Sequence, residues 1–135
     1  MALITTASGT VSVSVLDADV LSQDGNLVAG EALGAGDACY IKSDGKVWAA
    51  ISTAQFVTGS FAQSAFDGVV LSNKSTGDPV TLLTCDSVIT SYAAGLVPGT
   101  AIWISATKGA LADAKVATND LPVARAISAT DIKLI

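Results

Sequence analysis

Residues 33–41 read Leu-Gly-Ala-Gly-Asp-Ala-Cys-Tyr-Ile, and residues 96–104 read Leu-Val-Pro-Gly-Thr-Ala-Ile-Trp-Ile, the same pattern 63 positions later. Each copy sets a Leu, a glycine three places on (Gly36, Gly99), a small residue (Ala38, Ala101), an aromatic (Tyr40, Trp103) and an Ile (Ile41, Ile104) in one order. A glycine turn that runs into a short apolar stretch is the grammar of turn and strand, because glycine frees the backbone while aromatic and β-branched side chains suit a pleated surface. A weaker echo, Gly77-Asp78-Pro79-Val80-Thr81-Leu82, lies between the two. The pattern reads as two copies of one β unit, over 27–72 and 90–135. Against it stands the fact that any glycine turn ahead of a strand has this look.

Working outward, the strands predicted from the pattern are short and closely spaced. Residues 38–43 form a strand, Asp44-Gly45 a hairpin turn, and residues 46–50 the return. Residues 66–72, 80–84, 88–92, 101–105, 110–113, 121–128 and 131–135 follow as further strands, and only residues 51–55, with Phe56, leave room for a helical turn. The class is all-β: a small β-barrel or β-clip/β-tulip-like domain over 23–135 with short strands. Residues 38–41 and 101–104 are apolar at every position, which predicts strands covered on both sides. Ahead of the domain, Val11-Ser12-Val13-Ser14-Val15 alternates with a period of two. Residues 1–22 read either as an extended N-terminal arm that adds a strand to a neighbour or as an ordinary first strand.

Composition sets the limits on function. The chain has 135 residues, 50% hydrophobic and only 14% charged, so its surface is rich in Ala, Ser, Thr and Gly and suits packing against something else. Every acid except Glu31 is Asp, and several sit at turns, in Asp24-Gly25, Asp44-Gly45, Asp67-Gly68 and Gly77-Asp78, where a short carboxylate bonds the local backbone. A net charge of −5 with scattered cations disfavours a nucleic-acid partner, and an anionic membrane surface for the same reason. Met1 to Thr6 carries no secretory pattern, so the chain is expected to fold in a reducing cytoplasm with Cys39 and Cys85 as small buried hydrophobes on strands.

The reactive inventory is thin. There is no His, which removes the usual general base, the usual zinc ligand and any Ser-His or Cys-His pair. The two Cys stand 46 residues apart, Asp17 and Asp19 miss the calcium-loop spacing, and Gly34-x-Gly36 precedes no helix that would make it a phosphate cradle. The expectation is a protein that is not an enzyme, with no cofactor and no metal. Candidate contact residues are the apolar positions of the arm, Leu3, Ile4, Val11, Val13 and Val15, and the two tryptophans, Trp48 and Trp103.

These residues resemble a family of tailed-bacteriophage capsid decoration, or cement, proteins. The resemblance rests on residues 29–38 with Tyr40-Ile41, the hairpin Ser43-Asp44-Gly45-Lys46-Val47, Gly77-Asp78-Pro79-Val80, Gly95-Leu96-Val97-Pro98-Gly99 with Trp103-Ile104-Ser105, Thr107, Gly109 and Leu111, and Ala126-Ile127-Ser128-Ala129-Thr130. It covers residues 27–135; the first 26 match no quoted motif. Similar Ala-Gly-Asp turns occur in β-clip domains of the SAF type, which bind sugars or serve as periplasmic chaperones. The resemblance implies a structural virion protein, made in the host cytoplasm, that binds the major capsid protein on the outer surface of the expanded head, often as a trimer, and stabilises the shell. The competing reading is a glycan-binding or host-adhesion module in which Trp48 or Trp103 stacks on a sugar. A tail or baseplate component is a third.

Overall fold

Gly36 and Gly99 take φ of 89° and 88°, the left-handed region that glycine enters without a Cβ penalty. In each case the next residue closes a tight turn, Asp37 N–H onto Gly34 O at 3.0 Å and Thr100 N–H onto Val97 O at 3.1 Å. With a positive φ only at the third position, both are type II turns, and Pro98 pre-sets the second position of the latter. Each turn feeds a strand, and the computed structural model builds the rest of the chain around these two. It describes residues 3–4, 12–13, 20–21, 27–57, 63–84, 86–115 and 120–135.

The strands are β1 (Leu3–Ile4), β2 (Ser12–Val13), β3 (Val20–Leu21), β4 (Ala38–Ile41), β5 (Val47–Ala49), β6 (Gln55–Val57) and β7 (Gln63–Ser64), then β8 (Gly68–Val69), β9 (Leu82–Leu83), β10 (Val88–Thr90), β11 (Ala101–Ile104), β12 (Leu111–Ala112), β13 (Ala124–Ala126) and β14 (Ile132–Leu134). No helix occurs among the described residues, so the protein is all-β. The barrel expectation is corrected. The strands form two open antiparallel sheets, ordered β1-β12-β11-β13-β14-β10-β2 and β3-β9-β8-β4-β5, with β6-β7 as a separate pair. The possible helical turn also resolves as backbone for a strand. Ala54 N–H closes a turn onto Ile51 O at 2.9 Å, and Gln55-Phe56-Val57 then pairs with β7, as its aromatic and β-branched content favours.

Several hydrogen bonds of the two glycine-turn units correspond. Gly36 N–H to Val70 O is matched by Gly99 N–H to Ala126 O, Asp67 N–H to Cys39 O by Val123 N–H to Ile102 O, and Val80 N–H to Leu27 O by Leu134 N–H to Ser87 O. The correspondence runs from 27–80 onto 87–134. The halves meet at the turn after β11, where Gly109 N–H donates to Ala50 O at 2.7 Å and Gly109 O accepts from Ala38 N–H at 2.9 Å. The buried Tyr92 hydroxyl crosses the same junction to Gly36 O at 2.9 Å.

Two cores lie on either side of the five-stranded sheet. Consecutive residues of its strands and of their continuations point in opposite directions: Ala38, Ala50, Val69 and Leu83 enter the larger core, and Cys39, Ala49, Val70 and Leu82 the smaller one. The two-sided cover expected for residues 38–41 therefore holds at Ala38 and Cys39, which are both fully buried. It fails for β11, where Ile102 and Ile104 are buried but Ala101 and Trp103 stay half-buried. β11 belongs to the seven-stranded sheet, which has the larger core on one face only. Each fully buried Leu or Ile contributes about 1.5–3 kcal/mol, so the inner face of this sheet (Ile89, Ile102, Ile104, Leu111, Ile132, Leu134) dominates the packing.

Candidate functional site

Of the N-terminal candidates, Leu3, Ile4 and Val13 lie on strands of the chain's own sheets. Leu3 pairs with Ala112 and Ile4 with Leu111, and the Ile4 side chain is buried in the larger core. Val13 pairs with Ile89 on a different strand. Val11 and Val15 lie outside the described residues. β1 and β2 are thus the two outermost strands of the seven-stranded sheet, and β3 is outermost in the other. An edge strand leaves one row of backbone donors and acceptors without a strand partner, which is the chemistry of strand addition.

Trp48 sits on β5 directly across from Tyr40. Its indole N–H donates to the Asp44 carboxylate, at 3.3 Å and 3.2 Å to the two oxygens, and the Lys42 ammonium stands 4.3 Å from the ring centroid. A second cation, Lys108, lies 5.8 Å away and pairs with Glu31, the one glutamate of the chain. Glu31 also accepts from Ala49 N–H at 3.0 Å. Gly30 packs so close that an added Cβ would lie 2.4 Å from the indole Cε2, hence the glycine there. The ring is therefore occupied by a glycine backbone and two ammonium groups, a cation–π cluster that fastens the second half onto the first.

Trp103 is in the other sheet and does not join this cluster. It stands on the face away from the core, paired with Ala112, and its indole N–H is buried without an acceptor among the described residues. Composition and repeat gave no hint of what surrounds it. Among the described residues every exposed large hydrophobic side chain belongs to the second half: Val97, Leu121, Ile127 and Ile135. Along β13 and the residue after it, buried Ala124 and Ala126 alternate with exposed Arg125 and Ile127, a period-two signal that the sequence does carry.

Three titratable groups at the junction are shifted by their surroundings. Burial raises the Asp37 carboxyl above the ordinary aspartate range, the Gly34 N–H bond at 2.8 Å opposes the rise, and the Glu31 charge adds to it. Burial also raises the Cys39 thiol and the Tyr92 phenol well above their usual values, with the charge of Asp37 next in importance for both. Cys39 is a free, protonated thiol packed as a small hydrophobe, while Cys85 lies outside the described residues. Among the described residues no three His, Cys, Asp or Glu side chains cluster as a metal site. One groove, about 490 Å³, has a lining that includes Leu71, Ser72, Lys74, Pro79 and Thr81, with one ammonium group and no acid among its lining residues. Comparison with protein-family models, with curated proteins and with solved structures finds no match to this chain.

Proposed function

We propose that this chain is a structural virion protein that binds the outer surface of the expanded phage capsid and stabilises it as a decoration protein, without catalysis. Its partner is the major capsid protein, and it acts as a homo-oligomer, a trimer in the reading drawn from the resemblance. One observation carries the proposal beyond that resemblance. The described pieces of residues 1–22 all stand as outermost strands, so the N-terminal segment offers backbone rims at three places where an extended segment of a shell protein can add. The mechanism is linkage: a protein that binds only the expanded shell stabilises that state by its binding free energy. A surface low in charge suits many identical contacts, each modest and made strong by number.

Co-sedimentation of the full chain with expanded, undecorated heads tests this, with unexpanded proheads alongside. Saturable binding to expanded heads, together with a higher melting temperature of the decorated shell, is the expected result. Absence of binding to expanded heads overturns it, and binding to immobilised glycans in its place moves the assignment to the adhesion module.

A further inference from the structure

We propose that the groove where β8 and β9 part is a docking site for an extended peptide segment of a partner protein, one that carries a carboxylate. β8 and β9 are inner strands of their sheet, so this is a different place from the outer edges offered to a shell, and the inference stands whether or not a shell is the chain's final target.

The groove exists because a ladder stops short. In the second half, the consecutive strands β13 and β14 pair at three successive positions, from Ala124↔Leu134 to Ala126↔Ile132, and Ile127 N–H closes the hairpin onto Asp131 O at 3.0 Å. In the first half β8 and β9, also consecutive, pair at Val69↔Leu83 alone. The chain between them opens into a wider loop. Val70 turns to one neighbour, its N–H bonding Asp37 O at 3.1 Å, and Val80 to another, its N–H bonding Leu27 O at 2.8 Å. Continued two residues further, the ladder would set Leu71 opposite Thr81. That pair does not form, and among the described residues the backbone groups of Leu71 and Thr81 bond to no other segment. Both line the groove, whose volume of about 490 Å³ falls inside the roughly 300–1,000 Å³ of ligand sites.

The lining selects the occupant. Leu71, Val80 and Leu83 supply apolar wall, the exposed residues Ser72 and Thr81 supply hydroxyls, and Lys74 supplies an ammonium group with no acid among the lining residues. Lys74 forms no ion pair among the described residues. Its backbone is spent on Leu33, with Lys74 N–H donating to Leu33 O at 2.9 Å and Leu33 N–H donating to Lys74 O at 2.8 Å, so the side chain alone is left to the groove. An extended peptide answers all of these features at once. Its backbone offers N–H and C=O groups to Leu71 on one rim and to Thr81 on the other, alternate side chains meet the apolar wall, and a carboxylate meets Lys74. A simple anion would satisfy Lys74 and leave both rims without a partner.

Titration of the isotope-labelled full chain with a blocked tetrapeptide, acetyl-Val-Thr-Val-Asp-amide, tests the proposal through amide chemical shifts. Saturable shifts at Leu71, Lys74 and Thr81 are expected at peptide concentrations up to about 10 mM, the range for so short a segment. The same peptide ending in Asn should bind about threefold or more weaker, and so should the original peptide to the Lys74→Gln variant. That variant should melt at the temperature of the parent, because the Lys74 backbone and not its side chain holds Leu33. N-methylation of the two central amides of the peptide should weaken binding about tenfold, since it removes the donors that the rims require. Sodium acetate is the anion probe. Absence of saturable shifts at these residues overturns the proposal, as does binding that keeps its full strength after N-methylation or after loss of the carboxylate. Acetate binding as tight as the peptide's would also overturn it and make the groove an anion site.

Discussion

The two halves share a hydrogen-bond plan and differ in how they are closed. In the first, the segment before the glycine turn pairs with the hairpin strand β5 directly: Ala29 bridges Val47, Gly30 N–H bonds Val47 O and Val47 N–H bonds Val28 O, both at 2.8 Å. In the second, the corresponding strands β10 and β12 do not pair with each other among the described residues. β12 takes β1 as its outer neighbour and β10 takes β2, so the N-terminal segment completes the unit. Side chains follow the same division. Trp48 lies over Gly30 and seals the first half, whereas Ala112 stands in the corresponding place opposite Trp103 and has Leu3 on its other side. One β plan thus yields a self-sealed unit and a unit sealed by a strand from elsewhere in the chain, and the difference resides in which residues line the closing edge.

The sharpest way to break the symmetry is at Gly68, whose counterpart in the second half is Ala124. A Cβ on Gly68 would lie 2.4 Å from Leu83 O, with backbone on the other side of the contact. Gly68→Ala should cost about 2–3 kcal/mol in urea unfolding, while Ala124→Gly should cost about 1 kcal/mol or less. Equal losses would show that the halves tolerate the same residues. A smaller effect is expected from Ile4→Ala, about 2 kcal/mol by loss of buried methyl groups at an edge. Hydrogen exchange should then show β12 and β10 losing protection while Gly30 and Val47 keep theirs; loss in both halves would mean that the first unit also depends on the arm.

The smallest effect is electrostatic. Because the folded-state pKa of Asp37 is raised above its unfolded value, the folded protein holds the proton more tightly. Asp37 thus contributes stability that is fully present below the ordinary aspartate value and lost as pH rises through the raised one. Asp37→Asn keeps an acceptor for Gly34 N–H and removes this slope. Urea melts from neutral to acid pH should show the parent gaining on the variant as pH falls, and parallel curves would mean that Asp37 titrates like an exposed acid.

Much of this plan was legible in residues 33–41 and 96–104, since a glycine at the third turn position and a following apolar run leave few alternatives. The Asp44-Gly45 hairpin was equally open to reading, and of the alternating stretch 11–15 the described part, Ser12–Val13, is strand. What pairs with the repeated strands was not. Residues 67–70 and 123–126 fill equivalent places in the ladder, yet Asp-Gly-Val-Val and Val-Ala-Arg-Ala share no side-chain pattern, and their offset differs from that of the glycine turns. Backbone hydrogen bonds impose that equivalence, and they leave no trace in residue type. The tryptophans drew attention by size, but the aromatic that bonds the halves together in the interior is Tyr92.

The pairing of β1 with β12 also bears on how the chain is made. Leu3 reaches the ribosome exit first, and its partner Ala112 follows 109 residues later. At about 5–20 residues per second this is a delay on the order of 5 to 20 s. For that interval the first unit has the closing contacts that lie within residues 27–80, and β3 and β2 meet β9 and β10 on the way, while β1 still waits for its partner. Each nascent chain therefore trails an unclaimed β edge past its neighbours on the same message, and the interval before β12 appears is when copies are best placed to take up one another's strands.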